Sequence, residues 1–167
     1  TRQNLYMEAL KINNKNIEDE LLNNNLKSLT ITKNNIKYNL IAFDPNNFVI
    51  SFIMAPWVNR IKNGRFKCEK GEFNLLQNHP LARNFKHAIH GTMLFAEWNT
   101  INYKENFIEL SSKILKPWPF EGEINSKFTL FENKLLQELT IINNDKYVMP
   151  FSMGWHPWFN RSLGSND

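Results

Sequence analysis

Four histidines, His79, His87, His90 and His156, are the only side chains of this 167-residue chain that change charge near neutral pH without help from their surroundings. A proton donor for catalysis is therefore sought among them, and their neighbourhoods differ. His156 lies in the run MGWHPWF, between Trp155 and Pro157, with Trp158 and Phe159 just beyond. Proline disfavours the helical conformation in the residue before it, so His156 is expected to be extended, at a strand end or tight turn, with its ring aimed in a fixed direction. Gly154 leaves room for a ligand or another backbone. The rings around the imidazole either exclude water, or offer a stacking face to the C–H side of a sugar, or simply fill core. His87 and His90 stand three apart in HAIHG, a spacing that would pair metal ligands on a helix. The segment sits in strand-rich sequence with no matching carboxylate motif, so no metal site is expected. His79, in turn-like sequence, is expected to be structural. One cation joins the set: in MAPWVNRI, Pro56 closes a hydrophobic strand and Asn59 and Arg60 follow at once, a polar fork where strand ends build binding sites. An ordinary surface arginine is the competing reading.

The elements that must position these residues read as strands. Between residues 107 and 115, Ile108, Leu110, Ser112 and Ile114 fall on one face and Phe107, Glu109, Ser111 and Lys113 on the other, the period of a half-buried strand. Residues 126–132 and 134–142 follow as two strands around a Glu132–Asn133 turn, and a further strand is expected near Tyr147 after the break at Asn143, Asn144 and Asp145. LTITKNNIKYNLIAF reads as two strands joined at Asn34 and Asn35, and GRFKCEKGEFNLL as a hairpin with Lys70 and Gly71 at its tip. The first twenty residues carry helical propensity in MEALKI and IEDELL, but strands are preferred there. With 42% hydrophobic and 22% charged residues the composition is that of one globular domain, and 13% aromatics among many short strands points to a β-sandwich or a larger relative. The net charge of +4 is scattered among Asn and Glu, without the stripe of a nucleic-acid binder. No run has the length of a membrane-spanning helix. Cys68 is the only cysteine, which excludes an intrachain disulfide and suits a cytoplasmic protein.

Four stretches, taken in order, resemble the aldose 1-epimerase (galactose mutarotase-like) family. MAPWVNRI followed by NGRF is similar to its proline–asparagine–arginine segment, HAIHG to its histidine–glycine motif, KPWPFEGE to its Trp-Pro-Phe stretch, and VMPFSMGWHPWF to its Gly-x-His-Pro-aromatic-Phe signature. Trp158 stands where tyrosine is common and Val58 where proline is frequent. The resemblance implies an all-β fold, the antiparallel β-supersandwich, with a monosaccharide as partner and no cofactor. It also implies interconversion of the α and β anomers of a free hexose through acid/base ring opening. In that scheme His156 is the acid acting on the ring oxygen, His90 binds and polarises the sugar, Arg60 with Asn59 holds hydroxyls, and Trp118 and Trp158 contribute walls; His87 is a poorer choice. The family's base is a glutamate in the second half of a chain roughly twice this long, whereas Asp167 and the terminus are the only carboxylates after His156. Residues 1–167 are accordingly expected to form the N-terminal part of one mutarotase-like domain, with little or no activity alone. Two alternatives stay open: a non-catalytic carbohydrate-binding protein of the same fold, and a hexose-6-phosphate 1-epimerase with Arg60, Arg83 or Lys86 on the phosphate.

Overall fold

A computed structural model describes residues 9–76 and 86–164, and nearly all of its regular structure is antiparallel β. The first sheet is a meander of β1 (Leu10–Asn13), β2 (Ile17–Leu22), β3 (Asn25–Lys33) and β4 (Ile36–Asn39). Its two tight hairpins turn on Asn23–Asn24 and Asn34–Asn35, with φ of 48°, 66°, 52° and 62°. Asparagine tolerates this left-handed backbone, and the resulting turn matches the twist of the flanking strands. Short ribbons follow: β5 (Phe52–Met54), β6 (Arg60–Ile61), the hairpin of β7 (Arg65–Cys68) with β8 (Gly71–Asn74), and β9 (Ala88–Ile89). The second large sheet is a meander of β10 (Asn99–Lys104), β11 (Phe107–Lys113), β12 (Gly122–Phe131) and β13 (Lys134–Asn143), after which β14 (Gly154–His156) returns to pair with β5. Among the described residues no helix is long and apolar enough to cross a membrane.

The two meanders pack face to face. Ile12, Ile17, Leu21 and Leu26 of the first meet Ile108, Leu110, Ile124, Phe128 and Leu130 of the second in one buried cluster. The rims are stitched by Tyr103 Oη donating to Lys11 O at 2.6 Å and Asn14 Nδ2 donating to Phe131 O at 2.8 Å. Each large apolar side chain so buried contributes about 1.5–3 kcal/mol, so this sandwich, and not the short ribbons, holds the fold. One position breaks the apolar row of β2. Asp19, between Ile17 and Leu21, is fully buried with no side-chain partner for its carboxylate, and burial, only partly offset by the Glu20 backbone N–H, pushes its carboxyl up to about 8. A second, smaller core gathers Trp57, Leu75, Ala88, Trp118, Phe120 and Met149 beneath the ribbons.

Three expected elements differ in detail. β12 begins at Gly122 rather than 126, because Ser126 faces the core without interrupting the ladder and accepts from Gln137 Nε2 at 3.2 Å. The β7–β8 turn is made by Glu69 and Lys70, since Gly71 already pairs with Cys68. No strand forms near Tyr147. There Asp145 accepts from the Tyr147 and Glu121 N–H groups, Asn143 Nδ2 donates to Tyr147 O, and Lys70 Nζ pairs with Asp145 Oδ2, so side chains satisfy the backbone that a ladder would have used.

Candidate functional site

The site is assembled where β5 pairs with β14. Their register sets Phe52 opposite His156, Ile53 opposite Trp155 and Met54 opposite Gly154. Alternation then sends successive side chains to opposite faces. Trp155 turns towards the sandwich, where with Phe159, Leu26, Leu29, Phe128 and Leu139 it lines an apolar hollow of about 280 Å³. His156 faces the other way, and its ring lies parallel to Phe52, 4.9 Å between centroids and 10° between planes. Trp158 flanks the same imidazole at 5.7 Å, its backbone N–H donating to Ser51 Oγ at 2.9 Å and its carbonyl accepting from Ala42. The rings of MGWHPWF are therefore not core: Trp155 is 37%, Trp158 40% and Phe159 58% exposed. The room left at Gly154 is taken by Met54 and Val58, whose tips stand about 3 Å from where a Cβ would sit.

His90 completes the cluster, edge-on to His156 at 5.2 Å and to Phe52 at 6.0 Å. It reaches that position through a strained backbone. His90 has φ 57° and Gly91 φ 75°, and a methyl group on Gly91 would overlap the Ala55 carbonyl, which accepts from the Thr92 N–H at 2.8 Å. Asn59, at φ 60°, faces His90 through two hydrogen bonds: the Asn59 N–H donates to His90 Nδ1 at 3.2 Å, and the His90 N–H donates to Asn59 O at 2.9 Å. Arg60 follows on β6, which pairs with β9 through Arg60 and Ile89. Its guanidinium is exposed and lies 3.4 Å from Asn59 Oδ1.

The electrostatics separate the two histidines. Burial, then the charge of His156, then that of Arg60 hold His90 below the ordinary imidazole range, so it is uncharged at neutral pH. With Nδ1 accepting, its proton sits on Nε2, and His90 is a hydrogen-bond donor. His156 Nδ1 is buried with no hydrogen-bond partner, so ring packing rather than a second-shell acceptor orients the imidazole.

The structure thus brings together His156, His90, Asn59, Arg60 and Trp158. It sets apart the expected Trp118 and the poorer choice His87. Trp118 is 2% exposed in the second core, tilted against Trp57 at 5.7 Å, Phe66 at 5.0 Å and Phe120 at 5.5 Å, so it supports the ribbons from below and forms no wall with the histidine rings. His87 accepts from the Asn63 N–H at 2.9 Å, a cap on the short helical turn after β6. Lys86 is exposed, and His79 and Arg83 lie outside the described residues. Sequence reasoning missed Phe52 and Ser51. Both lie in the apolar run before Pro56, but only the cross-strand pairing reveals which ring they serve.

The antiparallel sandwich is the fold of galactose mutarotase-like proteins. The family model for aldose 1-epimerase matches residues 25–166, and the chain belongs to that family. It is 25% identical over 108 residues to the uncharacterized protein YphB of Escherichia coli K12, covering 65% of this chain and 36% of YphB. It is 25% identical over 118 residues to YihR of the same organism, an alignment that spans 37% of YihR. Two crystal structures share the fold. A candidate aldose 1-epimerase from Escherichia coli K12 superposes with a TM-score of 0.77 at 18% identity, and a galactose mutarotase-like protein from Lactobacillus casei with 0.71 at 19%. The superpositions take in 91% and 95% of this chain and 52% of each neighbour, so the chain spans about half their length.

Proposed function

We propose that the chain carries the acid side of an aldose 1-epimerase site, for a protein that interconverts the α and β anomers of a free hexose. The observation that carries this reading is the face-to-edge pair of His156 and His90, 5.2 Å apart, with Asn59 and Arg60 beside it. In the reaction His156 gives a proton to the ring oxygen while a base removes the proton of the C1 hydroxyl. The C1–O5 bond then breaks to leave an open-chain aldehyde, C1–C2 rotation exposes its other face, and the same transfers in reverse close the ring. His90, neutral and donating from Nε2, polarises a sugar oxygen without competing for the proton; Arg60 and Asn59 hold hydroxyls; Trp158, 40% exposed, offers a stacking face. A matched acid and base each contribute about 10²–10⁴-fold. The superposed neighbours are about twice as long as this chain, and in this reading residues 1–167 are the N-terminal part of one mutarotase-like domain whose base is supplied from outside the described residues.

Polarimetry on freshly dissolved α-glucose or α-galactose tests this directly. The chain alone is expected to leave the rate of optical change close to that of buffer while broadening sugar resonances in NMR titration. Enzyme-like acceleration by these 167 residues would overturn the requirement for an external base. The exposed rings of Trp155, Trp158 and Phe159 also favour one second reading, a carbohydrate-binding protein of the same fold, which predicts binding with no acceleration even in the longest form of the protein.

A further inference from the structure

We propose that Asn59 is a positioning residue: its backbone N–H, held in a left-handed conformation, locks His90 as the neutral Nε2–H tautomer and leaves His156 as the proton carrier of the pair. The division of labour between the rings rests on the function proposed above; the lock itself does not.

The lock is built as a closed loop. Asn59 N–H donates to His90 Nδ1 at 3.2 Å and His90 N–H donates back to Asn59 O at 2.9 Å, so neither residue shifts without breaking both bonds. Nδ1 accepts from an N–H only through its lone pair, and protonating it would turn an acceptor into a second donor facing the first. The bond therefore keeps the proton on Nε2. Holding the loop together requires φ of 60° at Asn59 and 57° at His90, a region that non-glycine residues occupy at a cost. That strain is over-determined by β6–β9 pairing on one side and by the Gly91–Ala55 bridge on the other.

The chain uses the same device a second time. Asn63, with φ 53°, donates its N–H to His87 Nδ1 at 2.9 Å. Among the described residues, what distinguishes His90 is its company: the His156 ring at 5.2 Å and the Arg60 guanidinium close enough to act on it. Two imidazolium rings at that separation repel, and the Asn59 bond disfavours protonation of one of them. The lock thus decides which histidine is the acid, although Asn59 itself moves no proton.

Long-range ¹H–¹⁵N spectra of the ¹⁵N-labelled chain read the tautomer of each imidazole without any sugar. His90 is expected to show one tautomer, protonated at Nε2 and bare at Nδ1, from about pH 9 to below about pH 6.5, the ordinary value for histidine. A His90 protonated at Nδ1, or averaged between tautomers at neutral pH, would overturn the proposal. Asn59→Gly keeps both the N–H and the left-handed backbone, and should leave the spectrum unchanged. Asn59→Val resists that backbone, and should give mixed tautomers at His90 with His87 unaltered as internal control. Unchanged His90 signals in a folded Asn59→Val variant also overturn it. Should that variant fail to fold, the wild-type and Asn59→Gly spectra decide alone: a single Nε2–H tautomer in both supports the lock, and any other pattern refutes it. If the tautomer is as stated but the complete protein does not accelerate mutarotation, the functional reading fails and the lock stands. Acceleration with a mixed His90 tautomer has the opposite meaning.

Discussion

The sandwich and the ribbons that carry the site are made from opposite kinds of sequence. In the sandwich, β12 and β13 pair over ten residues each, from Gly122↔Asn143 to Phe131↔Lys134, and side chains alternate between a buried and a half-buried face along β11 and β12. Around the site, by contrast, β5, β6, β9 and β14 are two or three residues long. Their geometry comes from left-handed residues at Asn59 and His90, from Gly91 pressed against Ala55, and from the Phe52–His156 stack. Long ladders over an apolar core supply stability and turn few polar side chains towards a ligand. Short ribbons borrow their order from that core, and so can present half-exposed rings to a ligand. Changes at the histidines should therefore act on turnover with little loss of stability, and changes on the inward rows should do the reverse.

The largest expected effect tests the first half of that contrast. In the protein bearing the whole catalytic apparatus, His156→Ala should lower kcat by about 10²–10⁴-fold, the worth of a general acid, with KM little changed. Its unfolding midpoint should stay near that of the wild type, because the ring is half-exposed and its neighbours Phe52 and Trp158 are anchored by their own strands. Polarimetry and urea unfolding on the same preparation check both at once. Near-normal turnover would place the acid elsewhere, and loss of the fold would erase the distinction between the two regions.

The second prediction concerns the one titratable group inside the sandwich. Asp19 titrates at about 8 in the folded chain against an ordinary value of 3.8. Between those values the folded state keeps a proton that the unfolded state releases, so stability falls as pH rises from about 4 to about 8 and levels off above. The inward neighbours across the strands are apolar, Ile12 on β1 and Leu29 on β3, and the adjacent Glu20 is occupied by Lys27 at 2.7 Å. Relaxation and water entry reduce the cost of a buried charge, which leaves on the order of 3 kcal/mol. Asp19→Asn should flatten that decline in urea unfolding series at about pH 5, 7 and 9. A slope unchanged by the substitution would show that the carboxyl finds a partner in solution.

How far each region can be read from sequence follows the same division. Ile108, Leu110 and Ser112 announce the buried face of β11 because a period of two is a local property, and the Asn34–Asn35 and Glu132–Asn133 turns announce themselves through residue type. His156 was legible as an extended residue because of Pro157, and Arg60 as a polar fork because of Pro56. Trp118 was not legible: WPF reads as an aromatic surface, and only the long-range meeting with Trp57, Phe66 and Phe120 shows that it is core. Phe52 is the converse case, an ordinary strand phenylalanine until register sets it across from His156, 104 positions away in numbering. The tautomer of His90 was equally hidden, since it depends on the backbone conformation of Asn59 rather than on the identity of any side chain.

The smallest expected effect is at His87, the residue that separates the ribbon's structural chemistry from its reactive chemistry. His87 and His90 flank β9, and each accepts a backbone N–H from a left-handed asparagine, yet among the described residues only His90 has a second imidazole against its ring. His87→Ala removes the acceptor of the Asn63 N–H, worth about 1 kcal/mol, and exposes that N–H to water at the ribbon surface. For a domain of this size the loss should lower Tm by about 2–4 °C. Turnover should change less than twofold, about 0.4 kcal/mol in activation free energy, because no proton, sugar oxygen or charge of the site depends on that ring. A drop in kcat approaching that of His156→Ala would mean that the histidine pair extends to His87, and that the same backbone cap serves catalysis at both ends of β9.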